Sequence, residues 1–440
     1  MSKLKLYFEG PVDTLSGYGH HARDLAVSLI NMDKYDITIL PTRWGSTPMG
    51  ALDTNDPDDI SIIDRIAVKV TEAPDIFMQV TVPSLFKRLG KYNIGITAGI
   101  ETNLSSAKWI EGCNQMDLVI VPSKHSKDVF EVSKYEIKDN NGNRTGQLEL
   151  MRPCEVLFEG VDTKLINKKT PVEPSIANIL DNIDEEFAYL YVGHWLNGDL
   201  GQDRKNTGML VKSFIETFYN TEGAKPALIL KTSVGTLSIT DRDMVVEKIN
   251  KIQSIFTDKS KIPNIYLLHG ELSKKEMVSL YNHKKVSAMV NLTRGEGYGR
   301  PMLEFASIGK PVIASGWSGH LDFLNKKDHH MLPGKLEKIH QSAVWEDVLI
   351  PESHWFEPDY EHFKQVMFLH YKHTNELKLS KNAKSGMNAI RNNFSLDKMQ
   401  VKFEQILDRY IPDIPTEVKM ELPKLKKIEL PKLNKVKSNG

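Results

Sequence analysis

The chain has 440 residues, of which 40% are hydrophobic, and its 57 Lys and Arg residues balance 57 Asp and Glu residues. This length exceeds what one hydrophobic core supports, so we expect two domains of about 150–200 residues each. The balanced charge argues against a globally basic nucleic-acid-binding chain and against a globally acidic, disordered one, although a local patch could still bind either kind of partner.

The compartment is predicted from cysteine usage and from the absence of targeting signals. Cys113 and Cys154 are the only cysteines, so no disulfide framework is expected and both are interpreted as small buried side chains. The charged start MSKLKLYFEG is not typical of a signal peptide, and no run of about 18 apolar residues predicts a membrane span. We therefore expect a soluble cytoplasmic protein.

Strand-like and helix-like patterns alternate along the first half of the chain. Strands are predicted over residues 3–10, 35–40, 75–80, 93–99, 116–123 and 154–166. Helices are predicted over residues 17–30, 105–116 and 124–133. The polar, Asn-Gly-containing stretch at about residues 136–152 predicts an inserted hairpin. Such alternation predicts a parallel sheet covered on both faces.

The same alternation restarts after a linker-like stretch over residues 167–175. Strands are predicted over residues 185–193, 226–233, 264–270, 286–293 and 310–315. Helices are predicted over residues 206–220, 242–256, 273–284, 300–308 and 396–411. The chain thus divides into units of similar size, and ligands of open α/β sheets bind outside the carboxyl ends of the strands.

These patterns define four predicted regions: residues 1–170, residues 171–395, a helix over 396–412 and a tail over 413–440. The tail repeats ELPKLKKI and ELPKLNKV with a period of eight residues, and its prolines forbid a long helix. We predict a basic, disordered tail, and an electrostatic anchor to a membrane or nucleic acid is the alternative.

The stretch RGEGYGRPMLEFASIGK, residues 294–310, predicts a helix that follows a strand and a glycine-rich loop. Pro301 suits the first turn of this helix and Gly309 suits its end. The free N–H groups and the positive dipole end then face the loop, which predicts a site for a phosphate or diphosphate. Gly297 and Gly299 let the backbone approach such a ligand closely.

Two carboxylates, Glu296 and Glu304, flank this helix start. Carboxylates do not bind phosphate, but they accept hydrogen bonds from hydroxyls. Glu304 is predicted to hold the vicinal hydroxyls of a ribose, and Glu296 to hold hydroxyls on the other side of the phosphates. A ligand with ribose, diphosphate and sugar in that order is a nucleotide sugar. For Glu304 alone, a surface carboxylate favoured by the helix dipole is the alternative.

Three further features fit the same ligand. Arg204 and Lys205 follow the first strand of the second unit, where they could neutralise a diphosphate, although an ordinary basic loop is the alternative. Lys231 lies at the end of a predicted strand, where we interpret it as a donor-binding residue. Gly17 and Gly19 lie between the first strand and the first helix and could bring backbone amides to the donor, although a tight turn explains them as well.

The blocks EGYGRPMLE and GKPVIAS resemble the E-x7-E signature of retaining glycosyltransferases of family 4, which have the GT-B fold. The blocks SGYG, WIEGCNQMDLVIVPSKHSKDVF, LFEGVD, RKN and LHGELSKKEMVSLY agree in order, and the resemblance covers about residues 4–400. It implies an α/β protein with two Rossmann-like domains facing each other across a cleft. The first would bind the acceptor, the second would bind the donor, and the C-terminal helix would cross back to the first.

The resemblance also implies roles for single residues. Glu296, Arg204 and Lys205 would be catalytic, by contacting the donor sugar and stabilising the leaving diphosphate. The donor-binding residues would be Gly17, Gly19, Lys231, Gly270, Ser273, Gly297, Tyr298, Gly299, Arg300 and Glu304. Within this set, Glu304 would hold the ribose, and the loop from Gly270 to Ser273 would face the nucleobase. Many relatives carry a histidine near the reacting carbon, where this chain has Glu101 in AGIETN. Glu101 is either an acceptor-orienting group or a loop carboxylate.

The resemblance therefore implies a retaining, metal-independent glycosyltransferase that moves a hexose or pentose from a nucleotide sugar to a hydroxyl acceptor, such as a glycan or lipid-linked glycan. A hydroxylated DNA base as acceptor and a non-catalytic nucleotide-sugar-binding protein are the alternatives. No cofactor is expected. Two D-x-D pairs, Asp56 with Asp58 and Asp241 with Asp243, are not expected to bind metal, because neither follows a strand. The basic stretch 86–92 could contact a membrane surface weakly, or form a solvated helix face.

Overall fold

A computed structural model describes residues 3–70, 72–373 and 378–415 of the protein. Most of the predicted tail therefore lies outside the described residues. The strands of the first half are β1 (Leu4–Gly10), β2 (Tyr35–Pro41), β3 (Ile76–Val80), β4 (Tyr92–Ile96), β5 (Leu118–Val121), β6 (Tyr135–Lys138), β7 (Arg144–Leu148) and β8 (Cys154–Val156). The helices are α1 (Gly17–Met32), α2 (Pro57–Ile63), α3 (Ala107–Gln115), α4 (Lys124–Val132) and α5 (Pro174–Asp181).

The second half repeats the alternation of strands and helices. Its strands are β9 (Ala188–Val192), β10 (Ala227–Lys231), β11 (Ile265–Leu268), β12 (Val286–Asn291), β13 (Val312–Ser315), β14 (His330–Leu332), β15 (Gly334–Lys338) and β16 (His354–Pro358). Its helices are α6 (Thr207–Phe218), α7 (Ile239–Gln253), α8 (Lys274–Asn282), α9 (Arg300–Ser307), α10 (Tyr360–Lys372), α11 (Lys378–Asn393) and α12 (Leu396–Tyr410).

Two six-stranded parallel sheets organise these elements. The strand order is β2-β1-β3-β4-β5-β8 in the first sheet and β11-β10-β9-β12-β13-β14 in the second. The first sheet with its helices is called the first domain, and the second sheet with its helices is called the second domain. Central strands such as β3 and β5 are buried on both faces, which explains their largely apolar sequences. The pairs β6–β7 and β15–β16 form separate antiparallel hairpins.

The strand order reverses at one point in each sheet, between β1 and β3 and between β9 and β12. Ligands of doubly wound sheets bind at the carboxyl ends of the strands beside such a point. In the second domain, the loop after β9 carries Arg204 and Lys205, and the loop after β12 carries Glu296. The topology therefore brings Glu296 to Lys205 and Arg204, which precede it by 91 and 92 positions in the sequence.

The C-terminal helix α12 packs against the first domain. Phe403 and Leu407 are fully buried in the core cluster that includes β1 and α1. Lys34 Nζ lies 2.8 Å from Asp408, and Tyr410 donates a hydrogen bond of 2.6 Å to Glu155. The last helix thus ties the end of the second domain back to the first.

Several elements differ from the sequence predictions. The strand predicted over 154–166 is only the three-residue β8, because the chain then leaves the sheet edge and Val161 forms a single bridge with Ser395. Helix α5 begins inside the predicted linker, with proline in its first turn. Residues 86–92 form no helix, and Arg88 instead pairs with Asp117.

Cys113 and Cys154 are both free and buried, as expected from composition. They belong to one apolar cluster of the first domain. Within the described residues, no helix has the length and apolar character needed to cross a bilayer.

Candidate active site

Arg204, Lys205 and Glu296 meet at the carboxyl ends of β9 and β12. Lys205 Nζ lies 2.6 and 2.7 Å from the two carboxylate oxygens of Glu296. Arg204 donates to the carbonyl oxygen of Gly295 over 2.8 Å, and its Nη1 lies 3.6 Å from Glu296. All three side chains are largely buried, so this ion-pair cluster interacts in a medium of lower dielectric than water.

The electrostatics favour an ionised Glu296. Burial alone would raise the pKa of Glu296, but the positive charges of Lys205 and Arg204 outweigh it and lower the pKa to about 2. Burial would likewise lower the pKa of Arg204, and the carboxylates of Glu101 and Glu296 raise it instead. The cluster therefore holds fixed positive charges whose present partner is a carboxylate, and an incoming phosphate could take the place of that partner.

The loop that carries Glu296 touches the first domain directly. A Cβ atom added to Gly295 would overlap the carbonyl oxygen of Glu101, and one added to Gly297 would overlap the carbonyl oxygen of Ala98. Gly99, on the first-domain side, has a φ of 94° that favours glycine. The glycines therefore permit a close backbone contact between the domains, and the cleft is closed at this point.

Glu304 lies one helical turn inside α9 and already has two protein donors. Tyr281, from α8, donates to Glu304 Oε2 over 3.0 Å, and Arg300 Nε donates to Oε1 over 3.1 Å. Burial raises the pKa of Glu304, while Arg300 opposes that effect. The carboxylate is thus fixed in orientation by neighbours on two helices.

Arg300 connects Glu304 to the first domain. Its Nη1 lies 2.5 Å from Asp24 of α1 and 3.7 Å from Glu159, which follows β8. Burial raises the pKa of Glu159 to about 7, with Arg300 acting in the opposite direction and Asp24 adding to the rise. Arg300 therefore forms an interdomain ion pair beside the start of α9.

Glu101 provides a second interdomain ion pair, since its Oε1 lies 3.4 Å from Arg204 Nη2. Together with Asp24 and Glu159, it makes three first-domain carboxylates that face the arginines of the second domain. The predicted acceptor residue is thus adjacent to the predicted diphosphate-binding residues.

The second group of predicted donor residues lies at the ends of β10 and β11. Lys231 donates to the carbonyl oxygen of Gly270 over 2.7 Å. Gly270 has a φ of 108° and open space beside it. Ser273 is exposed and caps α8, where it forms a capping box with Glu276. This loop is therefore accessible, and Ser273 has a local structural role.

The remaining predicted residues lie in tighter surroundings. Gly19 packs against Thr14 and could not carry a Cβ, whereas Gly17 borders open space. The ring of Tyr298 is buried in the core, so only its backbone is available to a ligand. Gly299 is the left-handed N-cap of α9, with a φ of 98°.

The two aspartate pairs have the D-x-D spacing of a metal-binding motif, but Asp56 and Asp241 lie at the starts of helices and accept backbone hydrogen bonds there. Asp56 caps α2 and pairs with Lys274 at 3.1 Å, and Asp241 accepts from the backbone N–H groups of residues 234–236. Within the described part of the chain, no group of three or more His, Cys, Asp or Glu side chains is placed to hold a metal ion.

Sequence reasoning missed four residues that contact the predicted set: Asp24, Glu159, Tyr281 and Ser318. They lie between 22 and 276 positions from their partners in the sequence, and no motif connects them. Ser318 accepts a hydrogen bond of 2.9 Å from the backbone N–H of Glu296. Only the fold identifies these contacts.

Comparisons with solved structures find this architecture in proteins of very different sequence. A glycosyltransferase from Rickettsia africae ESF-5 superimposes with a TM-score of 0.61 at 12% identity, over 94% of this chain and 100% of that chain. Sucrose-phosphate synthase from Thermosynechococcus elongatus gives 0.59 at 11% identity, over 92% and 99%. An E. coli structure described as trehalose-6-phosphate bound with UDP-2-fluoro glucose gives 0.57 at 12% identity, over 93% and 100%.

No protein-family model matches the chain, and no curated protein sequence matches it significantly. The similarity is therefore one of fold. It covers nearly the whole chain and both sheets, and it confirms the predicted α/β GT-B architecture of two Rossmann-like domains.

Proposed function

We propose that the protein is a glycosyltransferase that moves a sugar from a nucleotide-sugar donor to a hydroxyl acceptor. The observation that carries this proposal is the cluster of Arg204, Lys205 and Glu296 at the point where the second sheet reverses its strand order. The resemblance to family 4 and the likeness in fold to a structure bound with UDP-2-fluoro glucose both support it.

The donor diphosphate takes the place of the Glu296 carboxylate beside Arg204 and Lys205. The two cations then neutralise the phosphate oxygens, and charge-assisted hydrogen bonds hold them. Glu296, released from Lys205, accepts hydrogen bonds from hydroxyls of the donor sugar. Glu304, oriented by Tyr281, accepts from the ribose. Arg204 with Lys205, Glu296 and Glu304 thereby contact three chemically distinct parts of the ligand.

Transfer proceeds with retention of the anomeric configuration and without a metal ion. The bond between the anomeric carbon and the diphosphate oxygen breaks, and the acceptor oxygen bonds to the same face of that carbon. The leaving phosphate oxygen takes the acceptor proton, so no enzymic nucleophile is required. The enzyme contributes positioning and stabilisation of the charge that develops on the diphosphate.

The acceptor binds on the first-domain side of the cleft. Glu101 lies there, 3.4 Å from Arg204, and orients the acceptor hydroxyl towards the anomeric carbon. The acceptor is a hydroxyl group of a glycan or lipid-linked glycan. Its identity does not affect the donor chemistry described above.

The first experiment screens nucleotide sugars by thermal shift, followed by a transfer assay with each binder. A ligand at 100 times its dissociation constant stabilises the folded protein by about 2.7 kcal/mol, which such a screen detects. We expect Lys205→Ala to weaken donor binding and to abolish most transfer. Lys212→Ala is the matched control, because Lys212 forms its ion pair with Glu216 on the surface of α6.

Two results would contradict the proposal. If no nucleotide sugar binds the protein, the proposed function is wrong. If a donor binds but neither transfer nor hydrolysis occurs with any hydroxyl acceptor, the protein is a binding module. Equal turnover in Lys205→Ala and the wild type would remove the cation cluster from the mechanism.

A further inference from the structure

Ser318 has a backbone conformation that is unusual for a residue with a side chain. Among the described residues, four non-glycine residues have a positive φ: Asp33, Asn206, Ser318 and Asp347. Asp33 and Asn206 adopt the left-handed helical region, which Asn and Asp tolerate. Ser318 has a φ of 84° and a ψ of −162°, a region that is essentially restricted to glycine. Such strain persists only where the surroundings determine the conformation.

Hydrogen bonds around Ser318 join the loop that carries Ser318 to the loop that carries Glu296. Its Oγ accepts a hydrogen bond of 2.9 Å from the backbone N–H of Glu296. The next residue, Gly319, donates its N–H to the carbonyl oxygen of Glu296 over 3.0 Å. Glu296 is therefore held on both sides of its α-carbon. A Cβ atom on Gly319 would overlap the carbonyl oxygen of Gly297, so the two loops could not approach this closely with a larger residue there.

The turn around Ser318 is itself fixed by further bonds. Leu321 donates its N–H to the Ser318 carbonyl oxygen over 3.1 Å, and His320 donates from its ring to the Ser315 carbonyl oxygen over 2.7 Å. Ser318 and Glu296 are both buried. A glycine at position 318 would adopt this backbone without strain. It would, however, leave the buried N–H of Glu296 without its acceptor, at a cost of the same order.

We infer that Ser318 is a positioning residue for Glu296: its strained backbone aims the hydroxyl at the Glu296 peptide and thereby fixes the carboxylate that contacts the donor sugar. This inference rests on the proposed function, because the role of Glu296 does. Ser318 acts through Glu296 and not on the substrate. Loss of the hydroxyl lets the Glu296 loop shift, and small misplacements of a catalytic group reduce turnover strongly.

Two variants separate strain from the hydrogen bond. Ser318→Ala keeps the strained backbone and loses the acceptor, whereas Ser318→Gly loses both the strain and the acceptor. We expect Ser318→Ala to unfold at a clearly lower temperature than wild type. Ser318→Gly should unfold near the wild-type temperature, because its two changes oppose each other.

We expect turnover to depend on the hydrogen bond between Ser318 and Glu296 and not on the unfolding temperature of the variant. We expect kcat to fall roughly 10- to 100-fold in both variants, with little change in the donor KM. Amide hydrogen exchange of the loop over 294–299 should become faster in both. Ser315→Ala is the matched control, because Ser315 is a buried serine at the end of β13 whose hydroxyl has no hydrogen-bond partner among the described residues.

The outcomes distinguish this inference from the proposed function. If wild-type protein transfers sugar and Ser318→Gly transfers it equally fast, the positioning role is wrong and the proposed function stands. Unchanged hydrogen exchange in the 294–299 loop of both variants would also overturn the positioning role. If the wild type transfers no sugar at all, both the function and the inference that rests on it fail.

Discussion

The carboxylate of Glu304 has two fixed donors, Tyr281 and Arg300, which leave it oriented for further hydrogen bonds. We predict that Glu304→Gln weakens the binding of the donor's nucleoside diphosphate about 10-fold or more. Hydrogen bonds to charged groups contribute about 1.5–3 kcal/mol, and the amide removes the charge. Isothermal titration measures the affinity. Glu361→Gln serves as control, because Glu361 is exposed on α10, and equal affinity in both variants would remove Glu304 from the ribose site.

The buried Glu159 predicts a pH dependence of stability. Burial raises its pKa to about 7, while Arg300 opposes the rise and Asp24 and Glu304 add to it. In the unfolded chain the carboxyl titrates near 4.5. Because the folded protein binds this proton more tightly, the stabilisation is fully present below about pH 4.5 and is lost as the pH rises through about 7.

Glu159→Gln removes that titration, because glutamine keeps the neutral form at every pH. We expect the variant to match the wild type near pH 4 and to exceed its stability by up to about 3 kcal/mol near pH 8. Thermal unfolding at both pH values measures the difference. Glu131→Gln, on the exposed face of α4, is the control. A pH-independent difference between Glu159→Gln and the wild type would contradict the predicted titration.

Among the elements, α12 depends on a few apolar side chains. Phe403 is fully buried against the first domain, whereas Val401 on the same helix is 50% exposed. We predict that Phe403→Ala costs about 3–5 kcal/mol, through lost burial and the cavity it leaves. Val401→Ala should change stability by no more than about 0.5 kcal/mol. Urea denaturation of both variants measures this, and similar midpoints would show that α12 is not anchored through its buried face.

Several elements with a clear periodicity were predicted from the sequence, whereas helices α10 and α11, of 13 and 16 residues, were not predicted. The apolar runs of β3 and β5 and the helical spacing of α1 identify these elements. Strand β14 has three residues, and β15 is largely exposed with alternating charges, so neither carries a hydrophobic pattern to detect. Helix α2 is only seven residues long, close to the limit of what spacing can indicate.

From the sequence, the site could be predicted only where the spacing of residues indicates a chemical role. Arg204, Lys205 and Glu296 follow strands that a parallel sheet aligns, so their meeting follows from the topology. The ion pair of Arg300 with Asp24 crosses between domains and has no sequence signal. The strained φ of Ser318 is equally invisible, because a serine in a turn predicts no particular backbone region.

At the scale of the whole molecule, the proposed donor site is closed by the first domain. Arg204 pairs with Glu101 and Arg300 pairs with Asp24, so first-domain carboxylates neutralise the cations that are proposed to bind a diphosphate. The backbone of Gly295 and Gly297 also touches the first domain. Under the proposed function, a donor enters only after the domains separate, and separation removes negative charge from the proposed donor site.

We predict that Asp24→Asn combined with Glu101→Gln opens the cleft of the ligand-free protein. Without these carboxylates, the ion pairs Arg204–Glu101 and Arg300–Asp24 are lost, and relative domain motion follows where an interface is weak. Small-angle scattering should show a larger radius of gyration, and the nucleoside diphosphate should bind more tightly, because the proposed phosphate-binding cations have fewer competing partners. Asp128→Asn, an exposed residue paired with Lys124 on α4, is the control. Scattering and affinity that match the wild type would show that contacts other than these ion pairs hold the cleft shut.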